Sequence, residues 1–240
     1  MRARCRKSGE FKKLGEIGIF MAKRIILTFD DACLSHREYV APLLREYGFT
    51  ATFYISEYPG SFEDKTQYMT WEQIKELQDM GFEVANHSLT HKIVTEISEK
   101  EIVAEVADLE ERFKQYGLSP ATTYAYPVYA YDDAAIKVLA ARGYKIARTG
   151  GNDKPYNYRQ DDPMAIPSYN AHGADRETVL KYMDAATDEN IVILTFHGVP
   201  DIDHPHVSTE RALFEEYMDY IKLKDFEVIA MKDILSLMTP

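Results

Sequence analysis

The stretch RIILTFDDACLSH, residues Arg24–His36, decides the fold class and contains the first candidate functional residues. Its run of β-forming residues, Ile25–Phe29, predicts a buried strand, and two adjacent carboxylates, Asp30 and Asp31, follow it. Two like charges at the end of a buried strand are unfavourable unless a cation lies beside them. The stretch therefore predicts a strand that delivers two acidic side chains to a cation.

Beyond this strand, β-rich runs alternate with amphipathic stretches, which is typical of parallel strands joined by crossover helices. The chain has no G-x-G-x-x-G or G-x-x-x-x-G-K-[ST] motif to favour an open, doubly wound sheet, so we expect an α/β fold with barrel-like closure. The predicted strands are Arg24–Phe29, Thr50–Ile55, Phe82–Asn86, Thr122–Ala125, Lys145–Arg148, Ile191–Phe196 and Glu227–Ala230. The predicted helices are Tyr39–Tyr47, Trp71–Met80, Glu99–Tyr116, Asp133–Arg142, Arg176–Ala186 and Glu210–Lys222.

Composition limits the domain organisation and the partners. A chain of 240 residues, 45% of them hydrophobic, suits one large α/β domain, which we place at residues 23–240. Residues 1–22 are basic, and their apolar run is too short for a signal peptide or a membrane span. Because Met21 stands directly before the first strand, we expect a disordered extension, or else upstream sequence that a different start codon would remove. The predicted location is the cytoplasm, with the cell envelope as an alternative. The net charge of −11 disfavours nucleic acid as a partner.

Two further features concern structure more than chemistry. The chain has two cysteines, Cys5 and Cys33, so a disulfide framework is not expected, and we interpret Cys33 as a packing residue. The irregular stretch 149–175 contains one short extended piece, Ala165–Pro167. In an α/β barrel such a long loop usually covers the active face.

Reactive residues follow three of the predicted strands: the acidic pair, the segment NHSLTH (Asn86–His91), and His197 at the end of ILTFH. Sites in barrels and in open α/β sheets lie at the carboxyl ends of strands. Each cluster also has an ordinary structural interpretation, as a helix cap, a surface turn or a core histidine. Together they favour chemistry, because two histidines four residues apart and one carboxylate form an N,N,O ligand set for a divalent metal. The second carboxylate is then free to accept a proton.

These segments resemble motifs of a known family, the polysaccharide deacetylases of carbohydrate esterase family four. TFDDACLS resembles the first motif, T-F-D-D-G-x-x-S, and NHSLTH resembles the second, H-[ST]-x-x-H. ILTFH resembles the final motif, a hydrophobic strand that ends in L-x-x-H or L-H. The similarity covers about residues 24–235 and implies a distorted (β/α) barrel with about seven strands.

The resemblance also implies roles for five side chains. Asp31, His87 and His91 are expected to hold a divalent metal ion, usually zinc, with cobalt, nickel or manganese as alternatives. Asp30 is expected to act as general base and His197 as general acid. The implied activity is metal-dependent removal of acetyl groups from N-acetylated or O-acetylated carbohydrate.

The chain departs from the family pattern in three places. Ala32 stands where the first motif has glycine, and AYPVY stands where the third motif is R-P-P-Y-G, so Ala125 replaces an arginine that supports the catalytic carboxylate. The fourth motif, whose aspartate tunes the acid histidine, has no counterpart. We expect Arg148, at the end of the next strand, to replace the lost guanidinium beside Asp30, because adjacent strands lie about 4.8 Å apart. The alternative is that Arg148 only extends along the barrel rim.

Other residues are weaker candidates. The backbone N–H of Val128 aligns with the family's oxyanion donor, and the segments YPVYAYD and KPYNYRQ offer aromatic faces for sugar stacking. We expect His172, His204 and His206 to border the same face, and we treat a second metal site in DIDHPH (Asp201–His206) as the less favoured interpretation.

Two alternative functions remain open from the sequence. One keeps the metal and the hydrolysis but acts on a small non-carbohydrate amide. The other is a catalytically weak carbohydrate-binding homologue in which the metal is structural. The sequence gives no oligomeric state.

Overall fold

The computed structural model describes residues 22–58, 66–151 and 154–238. All but the last residue of the predicted N-terminal extension lie outside these ranges. The described strands are β1 (Arg24–Asp30), β2 (Thr52–Ile55), β3 (Glu83–Asn86), β4 (Thr123–Ala125), β5 (Ile146–Arg148), β6 (Tyr156–Asn157), β7 (Tyr169–Asn170), β8 (Asn190–Phe196) and β9 (Glu227–Ile229).

The described α-helices alternate with these strands, and a π-helical turn, His36–Val40, leads directly into the first of them. They are α1 (Ala41–Tyr47), α2 (Trp71–Asp79), α3 (Glu99–Gln115), α4 (Asp133–Ala141), α5 (Arg176–Asp184), α6 (Arg211–Leu223) and α7 (Ile234–Met238). None of the described helices combines the length and the apolar character that crossing a membrane requires.

Six of the strands form a curved parallel sheet in the order β5-β4-β3-β2-β1-β8. β9 pairs with the first half of β1, and β6 runs antiparallel to β8. The segment 166–170 lies between the two ends of this sheet, because Ile166 bridges to Arg148 of β5 while β7 pairs in parallel with β8. The architecture is the distorted, mostly parallel α/β barrel that the sequence predicted, with β7 as its seventh strand.

The alternation of β1 sets which residues face the barrel interior. Ile25, Leu27 and Phe29 pack in the layer between the sheet and the helices, where Phe29 stacks on Phe53 and Phe196. Ile26 belongs to the inner cluster, with Ile146 of β5. Because side chains two residues apart share a face of a strand, Asp30 and Arg148 both continue the inner face.

Local sequence signals explain where the clearest helix begins. Ser98 Oγ accepts a hydrogen bond from the backbone N–H of Glu101 at 3.3 Å, and Glu101 Oε2 accepts one from the N–H of Ser98 at 3.0 Å. This capping box satisfies backbone donors in the first turn of α3, as the sequence predicted. The buried face of α3 consists of Ile102, Glu105, Val106, Leu109 and Phe113.

The structure corrects several predicted bounds. The second strand begins at Thr52 and not at Thr50, and the first α-helix begins at Ala41 and not at Tyr39. The predicted extended piece Ala165–Pro167 contributes a single bridge, from Ile166 to Arg148. β1 continues through Asp30, one residue beyond the predicted end. The short strands β6 and β7 and the helix α7 were not predicted, because two-residue strands and a five-residue helix are too short to produce a periodic pattern.

Candidate functional site

Five of the six residues that the sequence singled out line one cavity of about 310 Å³ at the carboxyl ends of the barrel strands. The sixth, Arg148, lies buried beneath it against Asp30. The lining residues come from the ends of β1, β3 and β8 and from the loops beside them: Asp30, Asp31, Tyr58, His87, His91, Val128, Tyr129, His172, His197, His204, His206 and Val207.

Asp30 and Arg148 form a fully buried ion pair. Arg148 Nη2 donates to Asp30 Oδ1 at 2.7 Å and to Oδ2 at 2.6 Å, and Arg148 Nη1 donates to Thr195 Oγ1 at 3.1 Å. Burial by itself raises the pKa of Asp30, but the Arg148 guanidinium and then His87 outweigh it and lower that pKa to about 2. Asp30 is therefore a carboxylate at neutral pH, and Arg148 holds it in one orientation from beneath the cavity.

Asp31 leaves the strand direction because its backbone turns into the left-handed region. Its φ is 73°, that of Ala32 is 54°, and the N–H of Asp31 donates to the carbonyl of Tyr54 at 3.1 Å. The glycine of the family motif suits this conformation, and Ala32 adopts it without loss of the turn. The turn separates the two adjacent carboxylates, so Asp30 contacts Arg148 while Asp31 faces the histidines of the second motif.

The second motif supplies those histidines from a turn. His87 Nε2 lies 3.5 Å and His91 Nε2 lies 3.6 Å from Asp31 Oδ1. These three side chains form the one group in the described ranges whose ligand atoms, all within 4.8 Å of one another, could hold a metal ion. His91 has a φ of 56°, so the turn brings the fourth residue after His87 back to the same point.

Glu105 of α3 holds this turn in place. Its carboxylate accepts hydrogen bonds from the N–H of Thr90 and from Thr90 Oγ1, both at 2.7 Å. Its backbone carbonyl accepts the N–H of Leu89 at 3.1 Å. The helix that packs on the barrel thus orients the segment between the two histidines.

The histidine nitrogens fit a metal ligand set. The backbone carbonyl of Ala125 accepts a hydrogen bond from His87 Nδ1 at 2.8 Å, which places the ring proton on Nδ1 and leaves the Nε2 lone pair toward Asp31. Two imidazole nitrogens and one carboxylate oxygen are a ligand set typical of divalent zinc or iron sites. Burial by itself raises the pKa of Asp31, but His197, His87 and His91 lower it, so its oxygens are available as anionic ligands.

His197 comes to the cavity at the end of β8. Its Nε2 atom lies 3.6 Å from Asp31 Oδ2, and its Nδ1 atom lies 3.2 Å from Nδ1 of His172. Its backbone carbonyl accepts a hydrogen bond from His36 Nε2 at 3.0 Å, and His36 packs edge-on against Phe29. Both the backbone and the ring of His197 are therefore held by other imidazoles.

Backbone strain concentrates around the cavity. Seven described non-glycine residues have positive φ. All but Asp225 lie in the loops that follow β1, β3 and β4: Asp31, Ala32, Ser88, His91, Val128 and Tyr129. Such conformations cost of order 1–3 kcal/mol each and cluster at functional sites. The strained pair Val128 and Tyr129 has φ values of 46° and 63° in the segment that replaces the family's third motif.

Tyr129 occupies the position of that motif's glycine and forms a wall of the cavity. Its ring centroid lies 5.7 Å from the Arg148 guanidinium carbon, and its carbonyl accepts a hydrogen bond from Thr149 Oγ1 at 2.7 Å. A Cβ atom at Gly150 would lie 2.5 Å from the Tyr129 ring, so glycine is needed there for the ring to fit.

The structure brings Asp30, Asp31, His87, His91, Arg148 and His197 together, while their chemical roles stay predictions. His172, His204 and His206 border the cavity as expected. The segment Asp201–His206 forms no metal group within the described residues. Asp201 instead accepts hydrogen bonds from the backbone N–H groups of His204 and Gly198, at 2.7 and 3.3 Å.

Sequence reasoning missed His36, Tyr58 and Glu105. His36 and Glu105 act through long-range contacts, and Tyr58 packs against His91 with ring centroids 5.0 Å apart and an interplanar angle of 38°. The one available signal was position, since His36 follows the first motif and Tyr58 follows β2. No residue pattern marks them as different from ordinary loop or helix residues.

A barrel with a candidate metal centre of this kind, a buried ion-paired carboxylate and a histidine at a strand end has the arrangement of a metal-dependent hydrolase. The polysaccharide deacetylase family profile matches residues 19–147. The chain belongs to the polysaccharide deacetylase family.

Individual relatives agree with this assignment. The putative polysaccharide deacetylase YxkH of Bacillus subtilis is 26% identical over 127 residues, which cover 53% of this chain and 44% of that protein, so this chain spans less than half of it. The peptidoglycan-N-acetylglucosamine deacetylase of Bacillus cereus is 22% identical over 169 residues, 70% of this chain and 76% of that protein. Among solved structures, the Xyl-CE4 domain of a multidomain xylanase from the hindgut metagenome of Trinervitermes trinervoides has a TM-score of 0.62 at 20% identity, covering 90% and 91% of the two chains.

Proposed function

We propose that this protein is a metal-dependent deacetylase that hydrolyses acetyl groups on carbohydrate, with release of acetate. The observation that carries the proposal is the convergence of Asp31, His87 and His91 on one point, beside a buried Asp30–Arg148 pair and the ring of His197. A structural metal site would need the first three residues only. The buried carboxylate and the strand-end histidine add the groups that hydrolysis requires.

The ion, when held by Asp31, His87 and His91, supplies Lewis acidity and makes a bound water more acidic. Asp30 accepts the proton of the attacking water, since the Arg148 contact keeps it ionised and correctly oriented. We assign to the backbone N–H of Val128, a residue that lines the cavity, the polarisation of the acetyl carbonyl oxygen, a contribution of about 3 kcal/mol for a well-aligned donor. His197 donates a proton to the leaving group as the carbon–nitrogen or carbon–oxygen bond breaks.

The substrate class follows from the cavity and from the relatives. An open cavity at the barrel rim, with Tyr58 and Tyr129 in its walls, offers aromatic faces to a sugar ring. One relative is named for deacetylation of N-acetylglucosamine in peptidoglycan, and one structural neighbour is a domain of a xylanase. We therefore propose an acetylated saccharide, with N-acetyl and O-acetyl groups both as candidates and zinc as the first choice of metal.

A small acetylated amide is the second candidate substrate. It is favoured by the changed third motif, because Tyr129 stands at the glycine position and adds an aromatic ring to the cavity wall beside Arg148. A carbohydrate-binding homologue without activity is less consistent with the site, since the intact Asp30–Arg148 pair has no role in sugar binding alone.

Acetate release tests the proposal. Chelator-treated protein is assayed on N-acetylated chitooligosaccharides, acetylated xylooligosaccharides and small acetamides, with zinc and cobalt added separately. The proposal expects metal-dependent release from at least one of the two saccharides at a rate above that for every small amide. Release from the small amides alone would assign the second candidate, and no release from any substrate would contradict the deacetylase function.

A further inference from the structure

The family's fourth motif, whose aspartate tunes the acid histidine, has no counterpart in this chain, and the side chain that contacts the ring of His197 is His172. It lies two residues beyond the end of β7, and the neighbouring N–H of Ala171 donates to the carbonyl of Thr195 at 2.9 Å. This hydrogen bond fixes the chain alongside β8, two residues before His197. His172, which the sequence placed in a loop, therefore follows closely after a strand of the barrel.

The rings of His172 and His197 approach each other through their Nδ1 atoms. The Nδ1 atoms of His172 and His197 lie 3.2 Å apart, and the rings are nearly perpendicular, with an interplanar angle of 87° and centroids 4.6 Å apart. Two imidazole nitrogens at this distance form a hydrogen bond only when one carries a proton and the other presents a lone pair. Nε2 of His197 meanwhile lies on the side of the cavity, 3.6 Å from Asp31 Oδ2.

We propose that His172 is a positioning residue that accepts a hydrogen bond from Nδ1–H of His197 and so presents Nε2 of His197 to the leaving group. The proposal rests on the deacetylase function above and deepens it. It assigns to a neutral imidazole the orienting role that a carboxylate has in the family's fourth motif.

The surroundings of His172 favour the acceptor role. Burial, and then the neighbouring His197, lowers the pKa of His172 to about 4, so the ring is neutral at neutral pH and one of its two nitrogens has a free lone pair. The proposal assigns that lone pair to Nδ1, the atom that faces Nδ1 of His197. When His172 accepts this hydrogen bond, the proton of the neutral His197 ring is held on Nδ1. The hydrogen bond at one imidazole nitrogen thereby determines the protonation of the other nitrogen.

Leaving-group dependence distinguishes this role from a structural one. The variants are His172→Leu, which removes the acceptor, and His172→Gln, which keeps an oxygen acceptor. Lys181→Leu is the control, because Lys181 is exposed on α5 and is not among the residues that line the cavity. An N-acetylated chitooligosaccharide has an amine leaving group that needs a proton, whereas the phenolate of 4-nitrophenyl acetate leaves without one. We expect His172→Leu to lower kcat for the saccharide about 100-fold with KM within twofold, and to leave 4-nitrophenyl acetate hydrolysis within about threefold.

The results for the other variants decide whether His172 positions the ring of His197, which is the inference under test. Recovery of at least a tenth of the wild-type kcat in His172→Gln and no effect of Lys181→Leu support it. Equal losses on both substrates, or no loss on either, overturn it. Wild-type protein without any acetate release would contradict the deacetylase function, and a measurement independent of activity then decides the role of His172.

That measurement is NMR of ¹⁵N-histidine-labelled protein, with the His197 signals assigned by their loss in His197→Gln. We expect the neutral His197 ring to carry its proton on Nδ1 in the wild type and in His172→Gln, and to shift toward the Nε2–H tautomer in His172→Leu. The same tautomer in all three proteins would overturn the proposal.

Discussion

Arg148 lies directly opposite Ala125 in the parallel register of β4 and β5, and Ala125 is the position where the family motif has its arginine. The guanidinium therefore comes from the neighbouring strand and still reaches both oxygens of Asp30, at 2.7 and 2.6 Å. Adjacent strands lie about 4.8 Å apart, which is within the length of an arginine side chain. The departure in the third motif thus moves the supporting cation by one strand.

The variant Arg148→Met tests whether the guanidinium from β5 supports Asp30 as the family's arginine would from β4. We expect kcat for the acetylated substrate to fall at least 100-fold with KM nearly unchanged, because Asp30 loses its orientation while the cavity walls remain. The protein is also expected to lose about 3–5 kcal/mol of stability in urea unfolding, since an unpaired carboxylate stays buried.

The matched control moves the cation back. In Ala125→Arg combined with Arg148→Ser, the arginine returns to the position of the family motif. Recovery of turnover above that of Arg148→Ser alone would support a shared role at Asp30. Wild-type turnover in Arg148→Met would show instead that the ion pair is only structural.

Metal content separates the ligands from the base. His87→Ala is expected to lose the bound ion together with activity, whereas Asp30→Asn is expected to retain one ion per chain and lose turnover. Elemental analysis after dialysis measures the ion, and His204→Ala is the control, because His204 borders the cavity outside the metal group. Full metal retention in His87→Ala would refute the ligand assignment.

His36 predicts how stability depends on pH. Burial lowers its pKa from 6.5 to about 4, and its Nδ1 atom is buried without a hydrogen-bond partner. Between these pH values the unfolded chain binds a proton that the folded protein does not, so stability is complete above about pH 6.5 and decreases as the pH falls. Between pH 7 and pH 4 the titration of His36 is expected to lower the free energy of unfolding by about 3 kcal/mol.

Urea unfolding of chelator-treated protein between pH 4 and pH 7 measures this effect. His36→Leu is expected to show a shallower dependence of the unfolding free energy on pH than the wild type. His206→Leu, at an exposed site, should follow the wild-type curve. Parallel curves for His36→Leu and wild type would contradict the assignment of this titration to His36.

Gly150 and Tyr129 are expected to be energetically coupled. In Gly150→Ala the new methyl group would overlap the Tyr129 ring, so we expect about 1–3 kcal/mol of destabilisation and reduced turnover. In the double variant with Tyr129→Ala the overlap is absent, and Gly150→Ala should then have little further effect. Additive losses across this double-mutant cycle would show that the close contact does not constrain the ring.

Much of the fold followed from local signals. The apolar run of β1, the capping box at Ser98 and the two histidines four residues apart each depend on residues close in sequence. Positions at strand ends then predicted that Asp30, Asp31 and His197 would meet, because the ends of parallel strands share one edge.

The rest depended on contacts between distant segments. β7 has only two residues, and its place between β5 and β8 follows from pairing that a sequence pattern does not encode. The contact of His172 with His197 and that of His36 with the His197 carbonyl depend on loop paths and on packing. The reach of Arg148 to Asp30 was predicted only because a missing arginine drew attention to the adjacent strand.

Anomalous diffraction at the zinc edge, from crystals grown with zinc, tests the central claim most directly. The account predicts one strong peak about 2.0–2.2 Å from Nε2 of His87, Nε2 of His91 and a carboxylate oxygen of Asp31, with Asp30 still paired to Arg148. A peak whose ligands include Asp30 in place of Asp31, or no peak at these residues, would contradict it.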